Sequence, residues 1–297
     1  MDITKKQFSS YMIAAFSIAW PLQIIASIFA LRGNLTAFQL LLSVTMFAPF
    51  AATLVARIPL KCMGWKPRLK GKVRYIFVAL WLNSVLMVLG AGLFFLIFPK
   101  SFDSELTFFT ATLIARAGEQ AVEQLAAQGL TVQMYLIISA AQAFTIAPFI
   151  NMLFALGEEV GWRGGMTPYL KEKFGTAKGR LLSGLIWGIW HWPIIILAGY
   201  EYGMSYIGAP VLGPIVFCFF TTATGILIDW IYEKTHCIWF PALMHGAINA
   251  FGTVFPYLAK AEYSRYSIFG PAYIGLISMI PLLIVSGVIM AKAAKES

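Results

Sequence analysis

Two adjacent glutamates and an arginine occur in the sequence LGEEVGWRGG at residues 156–165. On an α-helix Glu159 and Arg163 are four residues apart, so they share a face and can form an ion pair. Glu158 is rotated by about 100° from Glu159 and has no such partner. A glutamate without a partner in a partly dehydrated cavity can act as a general base. An acidic pair that reaches the polar surface from a helix end would have the same sequence, and this segment alone leaves both interpretations open.

Two histidines lie inside apolar segments. His191 occurs in LIWGIWHWP, with Trp187 one turn before it and Pro193 shortly after it. An imidazole in hydrocarbon needs a hydrogen-bond partner, and Pro193 frees a backbone carbonyl nearby. His245 and Asn249 occur in PALMHGAINAFG, four residues apart, so both project from one helix face. Two such groups can stabilise a developing negative charge, although a simple hydrogen bond between helices would need the same residues.

The whole set favours chemistry over packing, because polar groups inside apolar segments are costly. A charged residue at the centre of a membrane helix costs about 2.5 to 3.5 kcal/mol on insertion scales. A base, two imidazoles and an amide on three helices fit hydrolysis, provided that the helices enclose a polar cavity that shelters water.

The composition identifies the setting of these helices. Of 297 residues, 59% are hydrophobic and 12% are charged, and about 25% charged is usual in soluble domains. The chain is therefore predicted to be a polytopic membrane protein. Its net charge of +9 is then a matter of topology, and we expect no nucleic-acid partner. Three cysteines without a C-x-x-C spacing favour neither a disulfide framework nor a thiolate metal site.

The predicted fold is all-α, with about eight transmembrane helices in a single membrane-embedded domain over residues 1–297. A spanning helix needs about 20 mainly apolar residues. Eight segments meet this requirement: 9–31, 36–56, 76–98, 135–160, 181–198, 207–228, 238–258 and 268–290. An additional amphipathic helix is expected over 111–129, lying on the membrane surface or, as an alternative, forming a lid.

The basic residues predict the orientation. Seventeen of the 22 lysines and arginines fall on one side of these eight spans: Lys5, Lys6, Arg57, Lys61, Lys66, Arg68, Lys70, Lys72, Arg74, Arg163, Lys171, Lys173, Lys178, Arg180, Lys234, Lys292 and Lys295. The positive-inside rule then places both termini in the cytoplasm. We expect a multi-pass protein of a bacterial or archaeal cell membrane, with a site that opens toward the cytoplasmic side.

The three motifs resemble the CPBP family of CAAX proteases and bacteriocin-processing enzymes, also called Abi proteins or type II CAAX prenyl endopeptidases. The family pattern is Glu-Glu-x-x-x-Arg, then aromatic-x-x-x-His, then His-x-x-x-Asn, on successive core helices. All three occur here in that order. The resemblance implies a catalytic core over about 133–258 and an intramembrane endopeptidase acting on membrane-associated substrates, prenylated or of the bacteriocin or pheromone type.

The resemblance also implies a role for each residue. Glu158 and His191 would activate the attacking water, and His245 and Asn249 would stabilise the oxyanion. The supporting residues would be Glu159, Arg163 and Trp187. The position of Trp187 is commonly Phe in the CAAX-processing branch, which leaves substrate identity open.

Two alternatives remain open at this point. Glu158, His191 and His245 are the ligand types of a His₂Glu zinc site. No H-E-x-x-H sequence is present to place two ligands on one helix, so we favour catalysis by glutamate without a cofactor. The second alternative is a non-catalytic bacteriocin-immunity or peptide-binding membrane protein that uses the same cavity.

Overall fold

The computed structural model describes residues 2–296, and the side chains of these up to residue 294. Residues 1 and 297 and the side chains of Lys295 and Glu296 lie outside it. The described part is helical and contains no strand. Its helices are α1 (Lys5–Leu31), α2 (Leu35–Thr45), α3 (Ala48–Val55), α4 (Arg74–Ile97), α5 (Thr107–Ala117), α6 (Gln120–Ala127), α7 (Val132–Thr145), α8 (Ala147–Gly161), α9 (Thr167–Phe174), α10 (Thr176–Trp190), α11 (Trp192–Ala198), α12 (Leu212–Thr235), α13 (Trp239–Phe251) and α14 (Ile280–Glu296).

The first six predicted spans correspond to helices of membrane-spanning length, and the chain is an integral membrane protein. Five apolar spans are formed by α1, by α2 with α3, by α4, by α10 with α11, and by α12. A sixth is formed if α7 and the helix that follows it count as one bent span.

The last two predicted spans differ from the structure. In place of a helix over 238–258, α13 has 13 residues and is followed by turns. The prediction of a helix over 268–290 is wrong for residues 268–279, which form turns containing Gly270, Pro271 and Gly275. These residues are apolar because they are buried in protein: Ile268 is fully buried and Tyr273 is 2% exposed. Hydropathy does not distinguish protein-buried from lipid-facing segments.

The predicted surface helix over 111–129 is two helices. Gly118, with a φ of 84°, separates α5 from α6, and α5 begins earlier than expected at Thr107. A positive φ is readily adopted by glycine and rarely by other residues, so the helix ends there.

The chain bends at the start of α8, the helix that carries Glu158 and Glu159. Pro148 lies at the beginning of α8, and the axis changes direction by 52° between α7 and the helix beyond Ala147. Proline lacks the N–H that would continue the helical hydrogen bonds. Beyond this bend α8 carries Glu158 into the interior of the protein, where it is 3% exposed. A π-helical turn over Trp162–Met166 then joins α8 to α9.

Small residues let the motif helices approach closely. A Cβ at Gly184 of α10 would lie 2.3 Å from the Cα of Thr222 on α12. A Cβ at Gly246 of α13 would lie 2.5 Å from the backbone nitrogen of Met152 on α8. Real Cβ contacts are not this short, so each helix pair depends on its glycine.

Gly246→Ala should therefore destabilise the protein. The atoms it would meet belong to the backbone of α8, so the two helices must separate, and overpacking of this kind costs about 1 to 3 kcal/mol. Thermal unfolding in detergent measures the effect. The matched control is Gly287→Ala on α14, where nothing lies within 4 Å of the added Cβ. Equal unfolding temperatures for the two variants would contradict the packing described here.

Two ends of the helix bundle can be distinguished. The basic end brings together the starts of α1 and α9, the segment 56–73 and the end of α12. Lys72 Nζ donates to the Thr235 carbonyl at 2.5 Å, and Phe8 of α1 stacks on Tyr169 of α9. The opposite end joins the segments 98–106, 199–211 and 252–266, as in the hydrogen bond from the Asp103 amide to the Leu258 carbonyl at 2.9 Å.

A buried charge network anchors α10 at the basic end. Arg180 of α10 contacts Asp229 of α12 at 2.7 Å and Glu233 at 2.6 Å. Lys171 of α9 pairs with the same two carboxylates. Arg180 is 2% exposed, so its ion pairs fix the position of the start of α10 relative to α12. The position of Trp187 and His191 at the other end of α10 depends on this anchor.

Candidate active site

The three sequence motifs meet at one cavity of about 910 Å³. Glu158, His191, His245 and Asn249 all line it. Glu158 and His245 are 3% and 4% exposed, so they lie at its closed, inner part. The volume lies within the range of about 300 to 1,000 Å³ typical of ligand-binding pockets.

Glu158 is held through one carboxylate oxygen. Its Oε2 accepts hydrogen bonds from the indole N–H of Trp187 at 2.8 Å and of Trp162 at 3.1 Å. No described residue donates to Oε1, which therefore remains available to a water or a substrate in the cavity. The two indoles thus fix the carboxylate while leaving one oxygen free to accept a proton.

The ring of Trp187 also contacts Arg163 and His245. The guanidinium of Arg163 lies 4.7 Å from its ring centroid, and the His245 ring lies 5.2 Å from it edge-on. A phenylalanine at this position would keep these ring contacts but would lack the N–H that reaches Glu158. The tryptophan is therefore part of the environment of the carboxylate as well as of the cavity wall.

Trp187→Phe should lower kcat/KM by about 10- to 100-fold, because a net hydrogen bond to a charged group contributes about 1.5 to 3 kcal/mol and about 1.4 kcal/mol corresponds to tenfold. Hydrolysis of a membrane-anchored peptide measures this. The control is Trp239→Phe, which removes an indole hydrogen bond to the Trp65 carbonyl at the basic end. Full activity of Trp187→Phe, or an equal loss in the control, would contradict the assigned contact.

His191 lies at a break between two helices, where α10 ends and α11 begins. Its Nδ1 is 2.9 Å from the Trp187 carbonyl, and since a carbonyl only accepts, Nδ1 carries the proton. In the neutral ring Nε2 then has a free lone pair. The rings of Trp190 and Phe217 flank the imidazole at 4.7 and 4.9 Å.

His245 is oriented by the second glutamate of the motif. Its Nδ1 lies 2.8 Å from Glu159 Oε1, and the same oxygen accepts from Arg163 Nη1 at 3.0 Å. The Glu159–Arg163 pair predicted from helical spacing is therefore present, and it reaches across to α13. With Nδ1–H donated to Glu159, His245 can donate from Nε2 only as an imidazolium that carries both protons.

Asn249 lines the cavity one turn after His245 and is partly exposed to it. Its side chain makes no hydrogen bond to any described residue. The amide therefore has unused donors and an unused acceptor facing the cavity.

The described side chains do not fit a metal ion. Nowhere in the described part of the chain do three His, Cys, Asp or Glu residues come close enough to hold one. Glu158, His191 and His245, the ligand set considered from the sequence, line the same cavity but are not grouped in this way.

The cavity widens toward the end of the bundle opposite the basic end. Its lining there includes the exposed residues Arg116, Glu201 and Thr253, which belong to α5 and to the connecting segments. Three residues of α5, Phe108, Thr112 and Arg116, line the cavity at four-residue spacing. The surface helix predicted from the sequence therefore covers part of this opening, as in the lid alternative.

Two expectations from the sequence, that the basic residues face the cytoplasm and that the site opens toward the cytoplasm, cannot both hold in this structure. If the basic end faces the cytoplasm, the wide end of the cavity faces away from it. The distribution of basic residues predicts which end of the bundle faces the cytoplasm, but it does not predict the end at which the cavity opens.

Two residues of the site, Trp162 and Gln23, were not predicted from the sequence motifs. Trp162 is four residues from Glu158, so helical spacing could have identified it as a partner. Gln23 of α1 also lines the cavity, is 1% exposed and hydrogen-bonds to the chain next to His191. No local sequence signal connects α1 to the motifs.

The segment that carries the three motifs is similar to known proteins. Residues 139–251 match the family model described as type II CAAX prenyl endopeptidase Rce1-like. The chain is also 28% identical over 102 residues to CAAX prenyl protease 2 of Methanococcus maripaludis, an alignment that covers 34% of this chain and 37% of that protein. The match thus spans little more than a third of this relative. Over the segment 139–251, which contains the three motifs, the chain is similar to CAAX prenyl endopeptidases, and this similarity supports the resemblance to the CPBP family.

Proposed function

We propose that this protein is an intramembrane endopeptidase that hydrolyses peptide bonds of membrane-associated substrates without a metal cofactor. The observation that carries this proposal is the meeting of Glu158, His191, His245 and Asn249 at one cavity, with Glu158 Oε1 free. The family match supports endopeptidase activity. Prenylated proteins and peptides of the bacteriocin or pheromone type are the proposed substrates, and residues 133–258 are the proposed catalytic core.

The reaction follows from the hydrogen bonds at each residue. Glu158 Oε1 and His191 Nε2 bind a water, and Glu158 removes a proton as the water oxygen attacks the substrate carbonyl carbon. His245 and Asn249 donate to the oxyanion that forms. Glu158 then returns the proton to the leaving nitrogen as the C–N bond breaks, which yields a carboxyl and an amine.

The supporting residues control geometry in this scheme. Glu159 holds the second proton of the His245 imidazolium, and Arg163 balances the charge of Glu159. This arrangement resembles the use of a carboxylate to orient a catalytic histidine in other hydrolases. Trp162 and Trp187 keep Glu158 from rotating away from the substrate.

Released peptides test the function directly. Membranes containing the wild type should release peptides that membranes containing Glu158→Gln do not, and a zinc chelator should not stop their release. Identical peptides from both membranes would sink the assignment and favour a protein that binds peptides without cleaving them. Loss of release in chelator alone would overturn the metal-free mechanism.

We also infer that the wide end of the cavity faces the extracytoplasmic side, since the basic end should face the cytoplasm. Cysteine labelling of intact cells tests this. A membrane-impermeant maleimide should label Glu201→Cys at the opening and should not label Cys62, which is exposed at the basic end. The reverse pattern would show that the cavity opens to the cytoplasm.

A further inference from the structure

The helix break at His191 leaves two backbone groups without their helical partners. In an unbroken helix the Ile194 N–H would donate to the Trp190 carbonyl, four residues before it. Here α10 ends at Trp190, and Pro193, which has no N–H, lies in the first turn of α11. An unpaired buried N–H or C=O costs about 1 to 3 kcal/mol, so the break needs partners from elsewhere.

One side chain supplies both partners. Gln23 Nε2 donates to the Trp190 carbonyl at 2.9 Å, and Gln23 Oε1 accepts from the Ile194 N–H at 3.3 Å. The amide of Gln23 is thus inserted between the two groups that would pair in a continuous helix. A side chain inserted into the hydrogen-bond ladder is a recognised cause of sharp kinks.

Gln23 lies outside the segment that carries the family match. It belongs to α1, which packs along α11, and it is 1% exposed. Its backbone carbonyl accepts from Ser27 Oγ at 2.8 Å, a bond that does not involve the side-chain amide.

We propose that Gln23 is a positioning residue that holds open the helix break and so sets the orientation of the His191 imidazole. The ring is attached on one side through Nδ1 to the Trp187 carbonyl. The direction of its Nε2 therefore depends on the backbone at 190–194, which Gln23 bridges. Without the amide, Trp190 and Ile194 either pair directly and straighten the helix or remain unpaired, and both outcomes move the ring. This role rests on the proposed function of His191.

Three variants test the proposal. Gln23→Met keeps the side-chain length and removes both hydrogen bonds. Gln23→Glu can make both bonds when its carboxyl is protonated, with O–H as donor and C=O as acceptor. Ser27→Ala is the matched control, because it removes a buried hydrogen bond from α1 one turn away.

Kinetics should separate positioning from general damage. For Gln23→Met we expect kcat to fall by about tenfold or more with KM within about threefold, whereas Ser27→Ala stays within about twofold of wild type for both. The activity of Gln23→Glu divided by that of wild type should rise as the pH falls. The ratio removes the titration of the other ionisable groups lining the cavity, which are Arg116, Glu158, His191, Tyr200, Glu201, His245, Tyr257 and Tyr273. Wild-type kcat in Gln23→Met, or a Gln23→Glu ratio that does not change with pH, would overturn the proposal.

A readout without catalysis distinguishes failure of this proposal from failure of the proposed function. Diethyl pyrocarbonate acylates histidine nitrogens, and mass spectrometry gives the rate at each ring. In Gln23→Met the rate at His191 relative to His245 should change by about threefold or more, and in Ser27→Ala it should not. An unchanged ratio would contradict the positioning role even if wild type proved to have no protease activity.

Discussion

Glu158→Gln should reduce kcat for peptide hydrolysis by about 10²- to 10⁴-fold, the usual contribution of a general base. The amide has nearly the same size and keeps an oxygen that can accept from Trp162 and Trp187, so the fold should be retained. It does not accept a proton from water at neutral pH. Single-turnover hydrolysis of a membrane-anchored peptide by the reconstituted protein measures the change.

The control for this variant is Glu172→Gln, which alters an exposed glutamate of α9 near the basic end. It should retain the wild-type rate. A Glu158→Gln protein that cleaves at the wild-type rate would remove the general base from the mechanism.

Asn249→Ala should reduce kcat by about 10²- to 10³-fold, the effect of removing one oxyanion donor in other proteases. Since the Asn249 side chain makes no hydrogen bond to the described residues, thermal stability should stay close to that of wild type. Kinetics and thermal unfolding on the same preparation measure both quantities.

A second substitution identifies the missing donor as the cause. Asn249→Asp keeps the size of the side chain but replaces the N–H donors with an acceptor, so it should be at least as inactive as Asn249→Ala. An Asn249→Asp protein with near wild-type kcat would mean that the residue does not donate to the oxyanion.

Helical spacing predicted the contacts that lie within one helix. Glu159 and Arg163, four residues apart, form the expected ion pair at 3.0 Å. His245 and Asn249 line the same cavity from one face of α13. In both cases the relation follows from 3.6 residues per turn and needs no knowledge of the rest of the fold.

Contacts between helices could not be predicted in this way. The carboxylate of Glu159 reaches His245, 86 positions later in the chain, and Gln23 reaches Trp190, 167 positions later. These distances along the chain carry no periodic signal. Such contacts follow from how whole helices pack, which composition and spacing leave undetermined.

Hydropathy was most successful where a segment forms one long apolar helix, as in α1 and α4. It did not place the bend at Ala147, since Pro148 is compatible with either a kink or a helix start. It also did not separate the buried turns of residues 268–279 from a membrane span. The same apolar residues satisfy both environments, so only tertiary packing distinguishes them.

In the proposed mechanism, Glu158 and His191 hold the attacking water between them. An experimental structure of the purified protein, at a resolution that shows ordered water, tests it most directly. We predict a water within about 3.2 Å of both Glu158 Oε1 and His191 Nε2, with the Asn249 amide facing the same space. This mechanism would be contradicted by a structure in which Glu158 Oε1 points away from the cavity. It would also be contradicted if Glu158 Oε1 and His191 Nε2 were too far apart for one water to bridge them.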